Sequence, residues 1–237
     1  LNGNNYTNTI TTSQSIVTIP AAALQALTDG QSYTVTANAS DVAGNAATQV
    51  TSSQFTVDRT DPAIGAIGTG AFSWGALLNP SEDDSDGTVT VTTTGIEDAQ
   101  VMTIALNGKS YTNTVTSNGT IVTIAAADLQ ALTDGNAYSI TANVSDAAGN
   151  AATQVTSSAF QVDRTAPAIS AIGTNVISWG ALLNPTESQS DGTVTVETTG
   201  VDVGQTLTLT LDGKNYTNTV NGLTTIVTIP AADLQAL

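Results

Sequence analysis

The chain has no cysteine and no histidine. Disulfide staples, cysteine nucleophiles, imidazole general bases and the usual Cys/His zinc sites are therefore excluded. Positive charge is nearly missing too: 4 Lys+Arg stand against 20 Asp+Glu, a formal charge of −16 over 237 residues. So acidic a chain repels nucleic acid and anionic membrane, and neither partner is expected. No apolar run approaches the roughly 18 residues of a spanning helix, so no membrane insertion is expected. Aromatic residues make up 4%, too few for a broad stacking surface. Charged residues make up 10%, against a usual share of about 25%, so ion pairs do not cover the surface. What remains is 40% hydrophobic residues, enough to bury a core, and an excess of carboxylates. Such acids either stay solvated or serve as ligands for a hard cation.

The chain repeats itself. LNGNNYTNTI begins at Leu1, LNGKSYTNTV at Leu106 and LDGKNYTNTV at Leu211, a spacing of 105 residues both times. VDRTDPAI at Val57 returns as VDRTAPAI at Val162, and SWGALLNP at Ser73 returns at Ser178. A period of 105 residues is the size of a domain, unlike the shorter units of solenoids, so each copy should own a core. The proline segment after Val57 is the natural linker, because proline interrupts sheet pairing and stiffens the path. The expected division is residues 1–60 as the C-terminal part of module 1, 61–165 as a complete module 2, and 166–237 as the N-terminal part of module 3. Without an initiating Met, the chain reads as a window on a longer repetitive protein.

Module 2 reads as all-β. Strands are expected over 63–67, 88–94, 101–106, 111–115, 120–124, 138–144 and 153–162, with one short helix over 126–132. Asn107-Gly108 has the signature of a two-residue hairpin turn, since both residues tolerate positive φ; Asn2-Gly3 and Asp212-Gly213 are its counterparts. About seven strands in roughly 100 residues point to an immunoglobulin-like Greek-key β-sandwich, repeated in a linear array. Tyr138, after Asp134-Gly135, stands where that fold carries its tyrosine corner, and Tyr33 matches it. Trp74 and Trp179 read as core plugs. The abundant Thr at alternate strand positions reads as the solvated face of a sheet.

All but one of the carboxylates, Glu197, fall outside expected strands, and strand order sorts them to two poles. The N-terminal pole of module 2 collects Asp58 and Asp61 from the linker, Glu97 and Asp98 from the loop between the second and third strands, and Asp146 and Asn150 from the loop before the last strand. Like charges so close repel, and calcium, which takes about 6–8 oxygens, resolves the repulsion; solvated turn acids are the alternative. The opposite pole collects Glu82, Asp84 and Asp86, with Asp83 among them, and Asp134. Glu82-x-Asp84-x-Asp86-Gly87 looks like the opening of an EF-hand loop, but strands flank it and Thr93 holds the twelfth position instead of Glu. At the second junction Asp163 and Asp202 remain, whereas Val203 replaces the Asp98 counterpart and Ala166 the Asp61 counterpart. Ser188 and Gln189 likewise replace two acids of the opposite pole.

Taken together, VDRTAP at a module start, L-x-G-x-x-Y-T after the third strand, IPAADLQAL, Y-x-V-x-A-x-x-S-D-x-A-G-N and the closing VD resemble bacterial Ig-like repeats. Such repeats build the extender regions of giant repeats-in-toxin adhesins, and unit length and acidity are similar to the calcium-binding extenders of marine ice-binding and biofilm adhesins. The resemblance spans the whole chain. It implies a type-I-secreted, extracellular cell-surface stalk, a monomeric string of modules that binds several calcium ions per module and holds a separate ligand-binding domain away from the cell. It implies ligand roles for Asp58, Asp163, Glu97, Asp98, Asp146 and Asn150. No enzyme activity is expected: paired carboxylates can hydrolyse glycosides, but they need a cleft, and these lie on recurring turns. A carbohydrate- or surface-binding Ig-like module is the alternative, and would need aromatics grouped on one exposed face.

Overall fold

The computed structural model describes residues 1–11 and 14–237. It resolves into two compact units, Leu1–Asp163 and Arg164–Leu237. The first holds the complete repeat. There, alternation of apolar and Thr residues makes the strand Gly87–Thr94 bury Val89 and Val91 while Thr90 and Thr92 face water. Val101–Leu106 buries Met102, Ile104 and Leu106 in the same way. Asn107 and Gly108 turn at φ 49° and 78°, and Leu106 pairs with Lys109 across them, as the hairpin chemistry requires.

Two layers result. Gly87–Thr94 lies between Ala63–Ile64 and Gly119–Ile124, all antiparallel. The opposite sheet orders Lys109–Thr114, Val101–Leu106, Thr141–Asn143 and Val155–Thr156. Between them Phe160 packs on Trp74 and Phe72, with ring centroids 5.2 and 5.5 Å away. Trp74 is buried, the core plug that its repeat suggests. Tyr138 closes the tyrosine corner, its hydroxyl accepting a bond from the Thr133 amide at 2.9 Å; Tyr33 does the same with Thr28 at 3.0 Å.

Four expected elements come out differently, the first being the 63–67 strand, which ends at Ile64. The 138–144 strand is broken into Ala137–Tyr138 and Thr141–Asn143, and its partner into Val155–Thr156 and Phe160–Val162. The break is a change of partners, since the first segment pairs with Phe160–Val162 and the second with Val101–Leu106. Ser157 bridges the gap: its hydroxyl accepts from the Ile140 amide at 2.9 Å and donates to the Ser158 carbonyl at 2.8 Å. The helix spans Ala126–Gln130, shorter than expected, because the chain must turn to bury Leu132 before Asp134-Gly135. An additional short strand, Leu77–Leu78, runs parallel to Phe160–Val162. It has only two residues and no alternation to betray it.

Residues 1–60 carry the back half of a repeat, with the helix Ala21–Gln25 and strand pairs 32–33/55–56 and 36–37/50–51. The second unit carries the front half. Its Gly192–Thr199 strand pairs with Thr224–Ile229, and Thr206–Leu211 with Lys214–Thr219. Its core is Val194, Val196, Leu207, Val220, Val227, Ile229 and Leu234, with Trp179 packed against them.

Candidate functional site

The site begins at the linker that leaves module 1. Arg59 donates from Nη1 to the Leu27 carbonyl at 2.7 Å and from Nη2 to the Leu24 carbonyl at 2.9 Å, one just past the short helix Ala21–Gln25 and one in its last turn, where cations are favoured. Asp29 receives the Arg59 amide at 2.7 Å and the Thr60 hydroxyl at 2.9 Å. The Arg59 amide, and next the Thr60 hydroxyl, hold the Asp29 carboxyl below the ordinary carboxylate range. Asp58 folds back to accept the Thr60 amide at 3.0 Å.

The 146–150 loop meets this linker. Asp146 accepts the Asn150 amide on Oδ1 at 2.7 Å and the Asn150 side-chain amide on Oδ2 at 2.8 Å. Burial is the strongest single influence on Asp146 and pushes its pKa up, but the bonds from the Asn150 side chain and backbone, with those from the Gly149 and Ala148 amides, together hold the carboxyl below its ordinary value. Asn150 Nδ2 also points at Asp58, 3.3 Å from its carbonyl and 3.5 Å from its carboxylate Oδ1. Glu97 reaches the same loop, accepting the Ala147 amide at 2.9 Å. A cavity of about 460 Å³ opens here, lined by Asp29, Asp58, Thr60, Glu97, Ile96 and Asn118. Asp41 and Asn45 repeat the loop in module 1, at 2.7 and 2.8 Å.

Asp58, Glu97, Asp146 and Asn150 are thus brought together. Asp98 is not: it turns to the Ser117 amide at 2.7 Å, in a turn where Ser117 and Asn118 have positive φ. Asp61 is exposed between the two modules. Among the described residues no three acidic side chains close on one point as a finished metal cage would. Two junction residues escaped sequence reasoning. Asp29 is the counterpart of Asp134, and the rear pole of module 1 faces the front pole of module 2, so the repeat arithmetic already contained it. Arg59 carried one signal, its return as Arg164 in the repeated VDRT segment.

At the far pole Glu82 accepts the Asn79 amide at 3.0 Å, and Asp86 accepts the Ala126 amide at the helix start at 2.9 Å. Gln130 Nε2 reaches the Asp83 carbonyl at 3.1 Å and Asp84 Oδ1 at 3.5 Å. The Gly135 amide bonds Val162, and the Asp163 amide bonds Leu78, which sets Asp134, Asp163 and the acidic loop at one end. Asp202 belongs to the second unit, in a turn closed by Gln205.

A separate charged cluster braces the short helix. Asp128 pairs with Lys109 and accepts the Tyr111 hydroxyl at 2.9 Å. Asp233 does the same with Lys214 at 2.7 Å and Tyr216 at 3.0 Å. In module 1 both charged partners are replaced, by Asn4 and Ala23. Burial, then the bond to Asp128 and its charge, pushes Tyr111 up to about 12 from 10.0. The neutral phenol is the form that the fold favours, so this contribution is intact below pH 10 and lost as pH rises toward 12. Ultraviolet titration should show Tyr111 ionising well after an exposed tyrosine, and Asp128→Ala should move it back toward 10; an unmoved Tyr111 would refute the brace.

The sequence model for the bacterial Ig-like domain (group 3) matches residues 21–120 and 123–221. The chain belongs to this family and carries its domains in tandem. No curated protein matches it. Among solved structures it is similar to a Ca2+-stabilized adhesin with which an Antarctic bacterium reaches out and binds ice, at 29% identity and TM-score 0.42 over 93% of this chain and 52% of the other. It is also similar to a 1.5-MDa bacterial ice-binding adhesin, at 22% identity and TM-score 0.42 over 91% of this chain and 68% of the other. A bacterial immunoglobulin-like domain of the M. primoryensis ice-binding adhesin matches at 32% identity and TM-score 0.31, over 44% of this chain and 96% of the other. The chain spans about half the length of the first of these structures. No described helix is long and apolar enough to cross a membrane.

Proposed function

We propose that this chain is a load-bearing spacer in a secreted cell-surface adhesin, and that its junctions stiffen when calcium binds. Family membership in tandem, acids gathered at turns and the motif resemblance set out above support this reading. The observation that carries it is the meeting of linker and loop at Asn150. Its amide hydrogens lie toward the Asp146 carboxylate and the carbonyl and carboxylate of Asp58, so acidic oxygens from two modules already aim at one electropositive group.

The donors fit calcium in chemistry, since carboxylate, amide and carbonyl oxygens are what it accepts. Asp58, Glu97, Asp146 and Asn150 would hold it, with Asp61 and Asp98 in reach by loop movement. Asp163 and Asp202 are the repeat counterparts of Asp58 and Glu97, and Glu82, Asp84, Asp86 and Asp134 form a further candidate set within module 2. Calcium, when bound, supplies a single multidentate centre that links linker to loop and neutralises like charge. The protein supplies the rest. Asp146 fixes Asn150, Glu97 fixes the loop backbone at Ala147, and Asp58 presents oxygens from the linker.

The sandwich itself suits tension. Leu77–Leu78 and Phe160–Val162 lie near opposite ends of the module's chain and pair in parallel, reinforced by the Gln161 amide to Ala76 and the Asp163 amide to Leu78, both at 2.9 Å. A pull on the two ends loads these bonds in shear, so they resist together. Small-angle scattering with and without chelator tests the junction: the maximum dimension should be larger and better defined with calcium, and an unchanged profile would refute stiffening.

A further inference from the structure

We infer that Asp29 and Arg59 form a metal-independent latch that ties the front of the linker to module 1 and narrows the inter-module hinge to one residue, Asp61. The inference deepens the spacer reading, because it concerns the same junction, but its chemistry needs no cation.

The last ladder bonds of module 1 join Gly30 to Val57 at 2.8 Å and Val57 to Gln31 at 2.9 Å. A free linker would start there. Instead each of the next three residues is held. Asp58 accepts the Thr60 amide. Arg59 gives its amide to Asp29 and forks its guanidinium onto two carbonyls, Leu24 and Leu27. Thr60 gives its hydroxyl to the second oxygen of Asp29. The anchor is firm, since Leu27 is among the buried residues of its region at 4% exposure.

Module 2 begins just as abruptly. Pro62 is buried and lies against Gly95. Ala63 and Ile64 already pair with Thr94 and Thr93. Between Thr60 and Pro62 only Asp61 is exposed and bonded to neither module. The following proline also restricts Asp61 to extended backbone. The junction is therefore partly ordered before any cation arrives, and a cation has one residue's freedom to remove. Arginine suits this, because its guanidinium holds two donor nitrogens in a fixed fork, whereas a lysine ammonium offers a single nitrogen on a flexible stem.

The lack of cysteine makes the test clean. Ser53→Cys and Ser110→Cys, both at exposed positions in successive modules, carry spin labels, and pulsed electron resonance reads the distance distribution in chelator. Arg59→Ala, Arg59→Lys and Asp29→Ala should each broaden it about two-fold, while a control pair inside module 1, Gln25→Cys with Ser53→Cys, keeps its width. Equal widths in parent and variants would overturn the latch, and so would equal broadening of the control pair, which would mean a loosened module. If calcium fails to narrow the parent, stiffening by the cation fails, whereas the chelator comparison still decides the latch.

Discussion

Phe160→Ala should destabilise module 2 by about 3–5 kcal/mol, the range for deleting a fully buried aromatic ring. Phe160 is 1% exposed and touches three other rings of the core, Phe72, Trp74 and Tyr138, and Tyr111 packs on the same cluster. Trp74, against which Phe160 packs, is itself held closely: a Cβ at Gly87 would lie 2.5 Å from Trp74 Cζ3. The repeat offers its own control. Phe55 is the same residue one period earlier, but it is 38% exposed and, among the described rings, meets Tyr33 alone, at 6.1 Å. Phe55→Ala should cost less than about 1 kcal/mol, the scale of a partly exposed contact. Urea unfolding in a Trp179→Phe background, followed by Trp74 emission, reads module 2, and hydrogen exchange at each urea concentration reads the module 1 segments, which hold no tryptophan. With a slope of about 1–3 kcal/mol per molar urea, Phe160→Ala should lower the midpoint by more than about 1 M. Comparable shifts for the two substitutions would show that the ring cluster does not carry the core.

The contrast between these two phenylalanines marks what a sequence of this kind discloses. Alternation placed Val89, Val91, Met102, Ile104 and Leu106 on the buried face, because a strand has a period of two and one face must leave water. Hairpin turns were legible at Asn107-Gly108 for an equally local reason. The poles were legible as well, since strand order alone decides which loops share an end. What lay hidden depends on choices between partners. Nothing in Tyr138–Val144 announces that the chain changes sheets at Ile140, because Ser157, the residue that permits it, is distant in sequence. Asp98 was expected beside Glu97 at the linker, yet it accepts the Ser117 amide instead, at 2.7 Å. Neighbouring acids in one loop need not share a destination. Asp29 shows the opposite error: its role at the junction follows from the repeat, provided the rear pole of one module and the front pole of the next are considered together.

Calcium should raise the melting temperature of module 2, and Asp146→Ala should abolish that rise. A ligand that binds only the folded state at about 100 times its Kd adds about 2.7 kcal/mol. At about 4–8 °C per kcal/mol for a domain of 60–100 residues, the expected rise is roughly 10–20 °C. Asp146 is the residue on which this should depend most. It is 4% exposed, it engages both the backbone and side-chain amides of Asn150, and through Asn150 it faces Asp58 of the linker. Its removal takes away a carboxylate and unfixes the amide that joins the modules. Asp41→Ala is the matched control, because Asp41 holds Asn45 with the same two bonds but belongs to the other end of module 1. In a Trp179→Phe background the only remaining tryptophan is Trp74, so emission follows module 2 alone. Asp41→Ala should retain the full calcium response and Asp146→Ala should lose it. A response that survives in Asp146→Ala would remove the junction as the seat of calcium binding and leave the acidic loop of Glu82, Asp84 and Asp86 as the place to look.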